Sequence, residues 1–245
     1  MNAKKIFMTS SIFTAMLGIS TLNHSAISID RTRVIFDGNQ KSISINVSNN
    51  NKQVPYLAQG WIENAKGEKI KSPFVVLPPI QRVEPGKSSQ IKVEALSAVA
   101  ELPQNKESLF YFNMREIPPK SDKPNTLQIA LQTKVKMFYR PKAILLSEKN
   151  SRFQENLILV KNNEYYLARN PTPYYITIID AYMDGYQSLS NFNPIMIAPY
   201  SEESIKINQA GNKPVLQYIN DYGARPLLNY LCETKDCKIV SENMK

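Results

Sequence analysis

Short alternations of apolar and polar residues with a period of two recur along this chain. The longest runs over Asn125–Pro141, where Leu127, Ile129 and Leu131 alternate with glutamine and alanine and share the parity of later apolar positions. Period-two alternation is typical of a β-strand with two different faces. Such a strand can belong to the core of its own domain or serve a partner as an exposed edge, and the pattern alone leaves both interpretations open.

Shorter alternations fill the rest of the chain and are separated by turns rich in proline, glycine and asparagine. They form two groups on either side of a polar join at residues 145–151. We therefore predict an all-β chain of two immunoglobulin-like β-sandwich domains. Further strands of the first group are predicted at Ser42–Ser48, Tyr56–Glu63, Phe74–Leu77, Gln90–Val93 and Leu109–Ile117. Strands of the second group are predicted at Leu157–Val160, Tyr165–Ala168, Tyr174–Ala181, Ile195–Ile197, Ser204–Ile207, Leu216–Ile219 and Leu227–Leu231.

The N-terminus has a different pattern from the rest of the chain. Lys4 and Lys5 precede the mostly apolar segment Ile6–Leu22, and a short polar stretch ending at Ser25 follows. This order is typical of a secretory signal peptide that is cut after Ser25, so the mature chain is predicted to be exported. A membrane anchor is the alternative, but the segment contains several serines and threonines and is short for a span. The predicted units are a signal peptide at residues 1–25, an N-terminal domain at 26–145 and a C-terminal domain at 150–245.

The composition is that of a globular protein, with 245 residues of which 42% are hydrophobic and 21% are charged. The formal net charge of +9 falls by two, to +7, when Lys4 and Lys5 leave with the signal peptide. Because the basic residues are scattered among acidic ones, we predict no nucleic-acid partner. A cationic domain for an acidic polymer remains one interpretation, and it predicts salt-sensitive retention on heparin.

Candidate reactive side chains are few. Cys232 and Cys237 are the only cysteines, and in an exported chain this spacing favours a disulfide that closes a small loop. The only histidine, His24, would leave with the signal peptide. Without a histidine base or a glycine-rich phosphate loop, we predict no enzyme activity, and we predict neither a metal site nor a cofactor.

A resemblance to a known family enters at Leu102–Pro118. This segment resembles the signature of the periplasmic pilus chaperones, which assist the adhesive pilus subunits of Gram-negative bacteria. The likeness extends to Asp30–Arg33, Lys136–Pro141, Asn170–Tyr175 and Tyr218–Gly223, and so covers nearly the whole chain after the signal peptide. It implies two immunoglobulin-like domains set at an angle with a cleft between them, in a chaperone that delivers pilus subunits to an outer-membrane usher.

The resemblance also gives the strand Asn125–Pro141 a role outside its own domain. In this family a chaperone strand fills an open groove in the subunit, a form of β-augmentation called donor-strand complementation. Leu127, Ile129 and Leu131 would then enter the groove, and the backbone of the strand would add ladder hydrogen bonds.

Two cations match the pair that binds the C-terminal carboxylate of the subunit in this family. They are Arg33 and Lys136, and charge-assisted bonds from both would hold a carboxylate in one place and so fix the strand register. Each residue alone would be interpreted as a surface charge. Strict alternation places Lys136 on the face opposite Leu131, so parity does not predict that it reaches the cleft without a twist or bulge.

Three further charged residues, Glu107, Arg140 and Asp221, match an ion triad that bridges the two domains in the family. The resemblance implies that they set the angle between the domains, and ordinary surface charges are the alternative. The sequence leaves open the pilus served, self-association of the free chain, the cleavage site and a cis bond at Pro78-Pro79. The alternative function is a secreted structural or adhesive fibre protein.

Overall fold

The computed structural model describes residues 25–147, 151–183, 187–188, 192–206 and 211–240. The rest of the predicted signal peptide, before Ser25, and residues 148–150 of the predicted join lie outside these ranges. The described chain consists of strands and short 3-10 helices, which confirms the predicted all-β class, and none of its helices is long and apolar enough to cross a membrane. The helices are Ser97–Glu101, Lys142–Ile144 and Phe153–Asn156. The strands are β1 (Ile27–Ile29), β2 (Arg33–Asp37), β3 (Ser42–Asn49), β4 (Tyr56–Asn64), β5 (Lys69–Ile70), β6 (Phe74–Leu77), β7 (Ile80–Val83), β8 (Ser88–Ala95), β9 (Ser108–Ile117), β10 (Gln132–Arg140), β11 (Ile158–Lys161), β12 (Tyr165–Arg169), β13 (Ile176–Met183), β14 (Gln187–Ser188), β15 (Ile195–Ile197), β16 (Glu202–Lys206), β17 (Val215–Tyr218), β18 (Leu227–Leu231) and β19 (Asp236–Ile239).

Two sheets enclose the N-terminal core. One has the strand order β1-β3-β8-β6, and the other has the order β2-β10-β9-β4-β5, with β7 also paired to β4. Alternation turns one row of each strand inward, so residues such as Ile45 and Phe112 are fully buried between the sheets. The ring of Phe74 lies near the centre, 5.0 Å from that of Phe36 and 5.1 Å from that of Phe110. Each such side chain stabilises the sandwich by about 1.5–3 kcal/mol through burial.

The N-terminal segment crosses from one sheet to the other. β1 pairs with β3, whereas β2 pairs in parallel with β10 in the second sheet. Arg33, the first residue of β2, is opposite Lys136, so the ladder between these strands begins there. Within the described residues, the part of β10 that precedes Lys136 has β9 on one side and an open edge on the other.

The C-terminal strands form their own core. Their order is β14-β13-β17-β18-β19-β11-β12-β16, with β15 also paired to β13. The hairpin of β18 and β19 is closed by the disulfide between Cys232 and Cys237, with an S–S distance of 1.99 Å, which confirms the predicted pairing. β19 also pairs with β11, so this hairpin joins the strands on its two sides into one continuous sheet. Tyr166 and Tyr230 are the largest fully buried side chains there.

The prolines around β6 settle one question that the sequence leaves open. The Leu77-Pro78 and Ser72-Pro73 bonds are cis, whereas the bond between Pro78 and Pro79 is not. The two cis bonds therefore flank the four residues of β6.

Candidate functional site

The predicted strand Asn125–Pro141 is hydrogen-bonded only in part. β10 covers Gln132–Arg140, whereas residues 125–131, which we call the open segment, belong to no strand. The neighbouring strand β9 ends at Ile117 and is followed by two prolines, so its ladder does not continue along the open segment. The strand prediction is therefore correct for the second half of this stretch and wrong for the first.

One row of side chains continues from the core onto the open segment. In β10 the row is buried, with Val135 9% and Met137 0% exposed. Further back along the chain, Leu131 is 42%, Ile129 65% and Leu127 84% exposed. We call these last three residues the apolar row. The apolar row therefore does not belong to the core of its own domain, and exposed apolar side chains on a segment outside a sheet are prone to pair with another chain.

Arg33 and Lys136 lie side by side on the opposite face of β10 from the core row. The register of β10 with β2 and with β9 is continuous, so no bulge is needed to place them there. Arg33 is only 8% exposed and Lys136 is half-buried. One guanidinium nitrogen of Arg33, Nη1, donates a hydrogen bond to the carbonyl oxygen of Ile219 in the C-terminal domain, at 3.1 Å. Both cations therefore lie where the two domains meet.

The electrostatics of this pair favour binding of an anion. Burial lowers the pKa of Lys136, and the neighbouring charge of Arg33 lowers it further. Burial also lowers the pKa of Arg33, which Asp221 and Glu107 offset only in part. The Nε of Arg33 is buried and has no hydrogen-bond acceptor among the described residues. A carboxylate next to both groups would supply the missing acceptor and the missing negative charge.

The strand geometry sets the direction in which a guest strand would fit. β2 runs parallel to β10 and begins at Arg33, so the open edge before Lys136 lies in line with β2. If a guest strand pairs with that edge and runs parallel to β10, its C-terminus would therefore lie next to Arg33 and Lys136. At roughly 3.3 Å per residue, Leu131 lies about 16 Å and Leu127 about 30 Å from Lys136 along the strand.

Glu107, Arg140 and Asp221 form a triad across the two domains, as the resemblance implies. Arg140 Nη2 lies 2.7 Å from Glu107 Oε1, and Arg140 Nη1 lies 2.9 Å from Asp221 Oδ2. The other oxygen of Glu107 accepts a hydrogen bond from the amide of Tyr175, at 2.7 Å. The side chains of Arg140 and Glu107 are 5% and 1% exposed, so the surface-charge alternative does not apply to them.

The members of the triad differ in their proton affinity. Burial raises the pKa of the Glu107 carboxyl to about 7, against the opposing effects of Arg140 and the Tyr175 amide. Burial alone would lower the pKa of Arg140, but Glu107 and Asp221 outweigh it, and the net shift is upward. The upward shift keeps Arg140 cationic, whereas burial favours the protonated form of Glu107.

Several contacts between the domains could not be predicted from the sequence, although some of their residues lie in the motifs that resemble the family. The amide of Glu107 donates to the carbonyl oxygen of Pro173 at 2.9 Å, and the rings of Phe138 and Tyr175 lie 5.3 Å apart. Gly223 has a positive φ of 83°, and a Cβ there would lie 2.6 Å from the hydroxyl oxygen of Thr32. A cleft of about 720 Å³ between the domains is lined by Arg33, Arg140, Leu145, Asp221 and Tyr222 among others.

A second cluster on the face of Lys136 was missed by the sequence reasoning. Lys134 Nζ lies 2.6 Å from Glu63 Oε2 and 4.4 Å from the ring centre of Tyr111. Trp61 donates from its indole nitrogen to the other oxygen of Glu63, at 2.9 Å. Alternation predicts that these side chains share a face, but only the strand order brings them together. In contrast to Lys136, Lys134 already has an anionic partner.

The described side chains offer positive charge, hydrogen bonding and exposed apolar area. Within the described ranges, no group of three or more histidine, cysteine, aspartate or glutamate residues is arranged to hold a metal ion. Both cysteines are joined in the disulfide.

Comparison with known proteins identifies the family. Residues 26–145 match the family described as pili and flagellar-assembly chaperone, PapD N-terminal domain. Residues 152–230 match the family described as pili assembly chaperone PapD, C-terminal domain. The chain is 46% identical to chaperone protein PapD of Escherichia coli over 241 residues, which cover 98% of each chain.

Solved structures agree with this assignment. The CupB2 chaperone of Pseudomonas aeruginosa is similar with a TM-score of 0.70 and 27% identity, over 82% of this chain and 98% of that one. The SafB chaperone of Salmonella enterica, solved in complex with the SafA pilin, has a TM-score of 0.72 over 86% of this chain and 98% of that one. At 21% identity, that second likeness shows the fold. The chain belongs to the pili-assembly chaperone family, and it is a chaperone of pilus assembly.

Proposed function

We propose that the chain binds unfinished pilus subunits in the periplasm, completes their sandwich with the open segment, and delivers them to an outer-membrane usher. The observation that carries the proposal is the apolar row, which is exposed on a segment that belongs to no strand. The row lies in line with a core row of the same parity and precedes the half-buried Lys136, whose neighbour on β2 is the buried Arg33. This arrangement is suited to β-augmentation, in which backbone bonds give affinity and alternate side chains give specificity.

The apolar row supplies much of the binding free energy in this mechanism. Burial of each large aliphatic side chain in a groove contributes about 1.5–3 kcal/mol. Association and ordering of the open segment oppose binding, so only part of this sum reaches the observed affinity. The bound subunit is stabilised as well, because its own exposed core is covered.

Arg33 and Lys136 would bind the C-terminal carboxylate of the subunit. Bonds from a guanidinium and an ammonium to one carboxylate are charge-assisted and about twice as strong as neutral ones. They would fix the end of the guest strand and therefore its register. A slip by one residue would turn the apolar row away from the groove, so the anchor and the row act together.

The triad of Glu107, Arg140 and Asp221 would hold the two domains in the orientation that binding needs. Buried ion groups of this kind add little net stability but fix geometry. Subunit release would come from strand exchange with the next subunit, since the sequence has no nucleotide-binding motif. An alternative role as a fibre protein would have no use for a carboxylate anchor.

Fractionation of cells that produce this chain together with a cognate pilus subunit tests the proposal. We expect the chain in the soluble periplasmic fraction, in a complex with the subunit, and we expect the subunit to be lost when the chain is absent. Recovery of the chain in sheared surface fibres would instead support the fibre-protein function. Retention on heparin that declines with salt, without subunit binding, would support the acidic-polymer interpretation.

A further inference from the structure

Glu116 is a buried carboxylate that the proposed binding mechanism does not use. It lies near the end of β9 and is 5% exposed. Its Oε2 accepts a hydrogen bond from the Ile27 amide at 2.9 Å, and the Ser25 hydroxyl lies within hydrogen-bond distance of both this Oε2, at 2.8 Å, and the Ile27 carbonyl oxygen, at 2.7 Å. Among the described residues no lysine or arginine forms an ion pair with it. A buried charge without a counter-ion is costly, so this carboxylate is suited to a cation.

Signal-peptide removal would change the surroundings of this carboxylate. Hydrolysis of the Ser25-Ala26 bond consumes one water molecule, leaves a carboxylate on the released leader and leaves an ammonium group on Ala26. The Ser25 hydroxyl departs with the leader. The nitrogen of Ala26 lies between Ser25 and Ile27 along the backbone, and both of these already contact Glu116. Covalent geometry therefore places the new ammonium within a few ångströms of the same oxygen.

We propose that Glu116 is the binding site for the α-ammonium group of the mature chain. The inference rests on the proposed export, because it needs a chain that begins at Ala26. Contacts on the other side of the residue hold it in place, since the amide of Asn50 donates to the Ala26 carbonyl oxygen at 2.7 Å. Ile27 is 2% exposed and packs in the core. The ammonium replaces the lost hydroxyl and neutralises the buried charge.

Glu116 also contacts the C-terminal end of the open segment. The backbone amide of Glu116 donates to the Leu131 carbonyl oxygen at 3.0 Å, immediately before β10 begins. Glu116 therefore contacts both the start of the mature chain and Leu131, the last residue of the open segment. Processing completes this junction, because the ammonium exists only after the leader has been removed.

Competitive labelling of the α-amine with trace acetic anhydride tests this inference. The mature chain is purified, its first residue is established by N-terminal sequencing, and the pKa of the α-amine is read from the pH dependence of labelling. An ordinary α-amine has a pKa of about 7.7–8.0. We expect a pKa at least about one unit higher in the wild type and an ordinary value in Glu116→Gln. The control Glu101→Gln removes an exposed carboxylate and is expected to keep the raised value.

The outcomes separate the two proposals. A wild-type chain that begins at Ala26 but has an ordinary α-amine pKa overturns the ammonium site and leaves the chaperone mechanism intact. A periplasmic chain that retains its leader overturns the proposed processing itself. A second measurement does not depend on labelling: Glu116→Gln and acetylation of the α-amine should each lower the melting temperature, with a combined loss smaller than their sum. Additive losses would contradict the pairing.

Discussion

Arg33 and Lys136 are directly opposite each other on the parallel strands β2 and β10, although both carry a positive charge. Burial lowers the pKa of each, and within the described residues neither forms an ion pair. A buried and a half-buried like charge without an anion destabilise the free protein. The pair therefore does not stabilise the fold of the free protein, which agrees with the proposed role of Arg33 and Lys136 as a carboxylate anchor.

Replacement of Lys136 by methionine should separate binding from stability. The methionine keeps most of the apolar side chain and removes the charge, so repulsion with Arg33 and the cost of burial are both lost. We expect the melting temperature of the free protein to rise by a few degrees, on the scale of about 1 kcal/mol. Affinity for a subunit should fall by about 30-fold or more, because loss of one partner of a buried charge pair costs about 2–5 kcal/mol.

Lys106→Met is the matched control, because Lys106 is an exposed lysine of the same domain. It should change neither the melting temperature nor the affinity. Calorimetric melting and titration with purified subunit provide the two readouts. A Lys136→Met protein that melts lower than the wild type would contradict the like-charge argument, and unchanged affinity would contradict the carboxylate anchor.

Subunit binding should weaken at alkaline pH. The decline should begin at a lower pH than it would for a lysine with the usual pKa. The pKa of Lys136 in the free protein is lowered from its usual 10.5, first by burial and then by Arg33. A bound carboxylate favours the charged form, so binding takes up a proton once the free lysine has lost it. Affinity is therefore expected to decline as the pH rises through this lowered pKa, in a window that opens below pH 10.5.

The stability of the free protein should change in the opposite direction over the same window. Because the folded-state pKa of Lys136 is lower than the unfolded one, the unfolded chain binds this proton more tightly. The contribution of Lys136 to the free energy of unfolding therefore rises with pH between the two pKa values. Chemical denaturation at several pH values measures this effect on the free protein.

Titration with a peptide of the last subunit strand, at several pH values, measures the predicted decline in affinity. A C-terminally amidated peptide should bind weakly, and its affinity should not decline in this pH window. Equal pH profiles for the two peptides would be inconsistent with the anchor.

A charge in the apolar row should abolish binding and leave the fold intact. Ile129 is 65% exposed, so Ile129→Asp is expected to change the free energy of unfolding by less than about 0.5 kcal/mol. In the complex the same carboxylate would be buried in an apolar groove, and affinity should fall by at least about 100-fold. Ala130→Asp places the charge on the next, also exposed residue, which has the opposite parity, and should bind nearly as well as the wild type. Equal losses for the two variants would show that alternation does not select the buried side chains.

How far the sequence predicts this site depends on the range of the contacts involved. Alternation is a local property, so it predicts the strand pattern around β10 and correctly places Lys136 on the face opposite the core row. The extent of hydrogen bonding is not local. The ladder stops near Leu131 because β9 ends at Ile117, and no pattern within Asn125–Pro141 contains that information.

Contacts to backbone groups are the other class that the sequence conceals. Arg33 binds the carbonyl oxygen of Ile219, and Glu107 accepts from the amide of Tyr175. Any residue has such groups, so neither partner is marked by its side chain. The family resemblance identified the triad because its three members are charged side chains. It did not identify Glu116, whose contacts with Ser25 and Ile27 are visible only in the fold.

Replacement of Arg140 should lower the free energy of unfolding far more than replacement of a surface arginine in a similar ion pair. Arg140→Met leaves Glu107 and Asp221 without their cation, and removal of one partner from a buried ion pair costs about 3–5 kcal/mol. Arg169 pairs with Glu202 at 2.9 Å, but both side chains are 54% exposed. Arg169→Met should therefore cost less than about 1 kcal/mol. Chemical denaturation measures both, and equal costs would contradict a buried triad.

Insertion of a residue before β10 tests whether register links the anchor to the apolar row. One alanine between Leu131 and Gln132 lies outside the core row and leaves β10 unchanged, so the melting temperature should stay near that of the wild type. The insertion nevertheless turns Leu127, Ile129 and Leu131 to the opposite face relative to Lys136, because side chains alternate with a period of two.

Affinity for the subunit should therefore fall with one inserted alanine as far as it does in Ile129→Asp. Two inserted alanines restore the parity and move the apolar row by roughly 7 Å along the strand, which is one repeat of the groove. We expect this variant to recover part of the affinity, since two of the three side chains can again enter the groove. The order wild type, two alanines, one alanine follows only if the carboxylate anchor fixes the register. Equal binding by all three proteins would mean that the guest strand slides freely past Arg33 and Lys136.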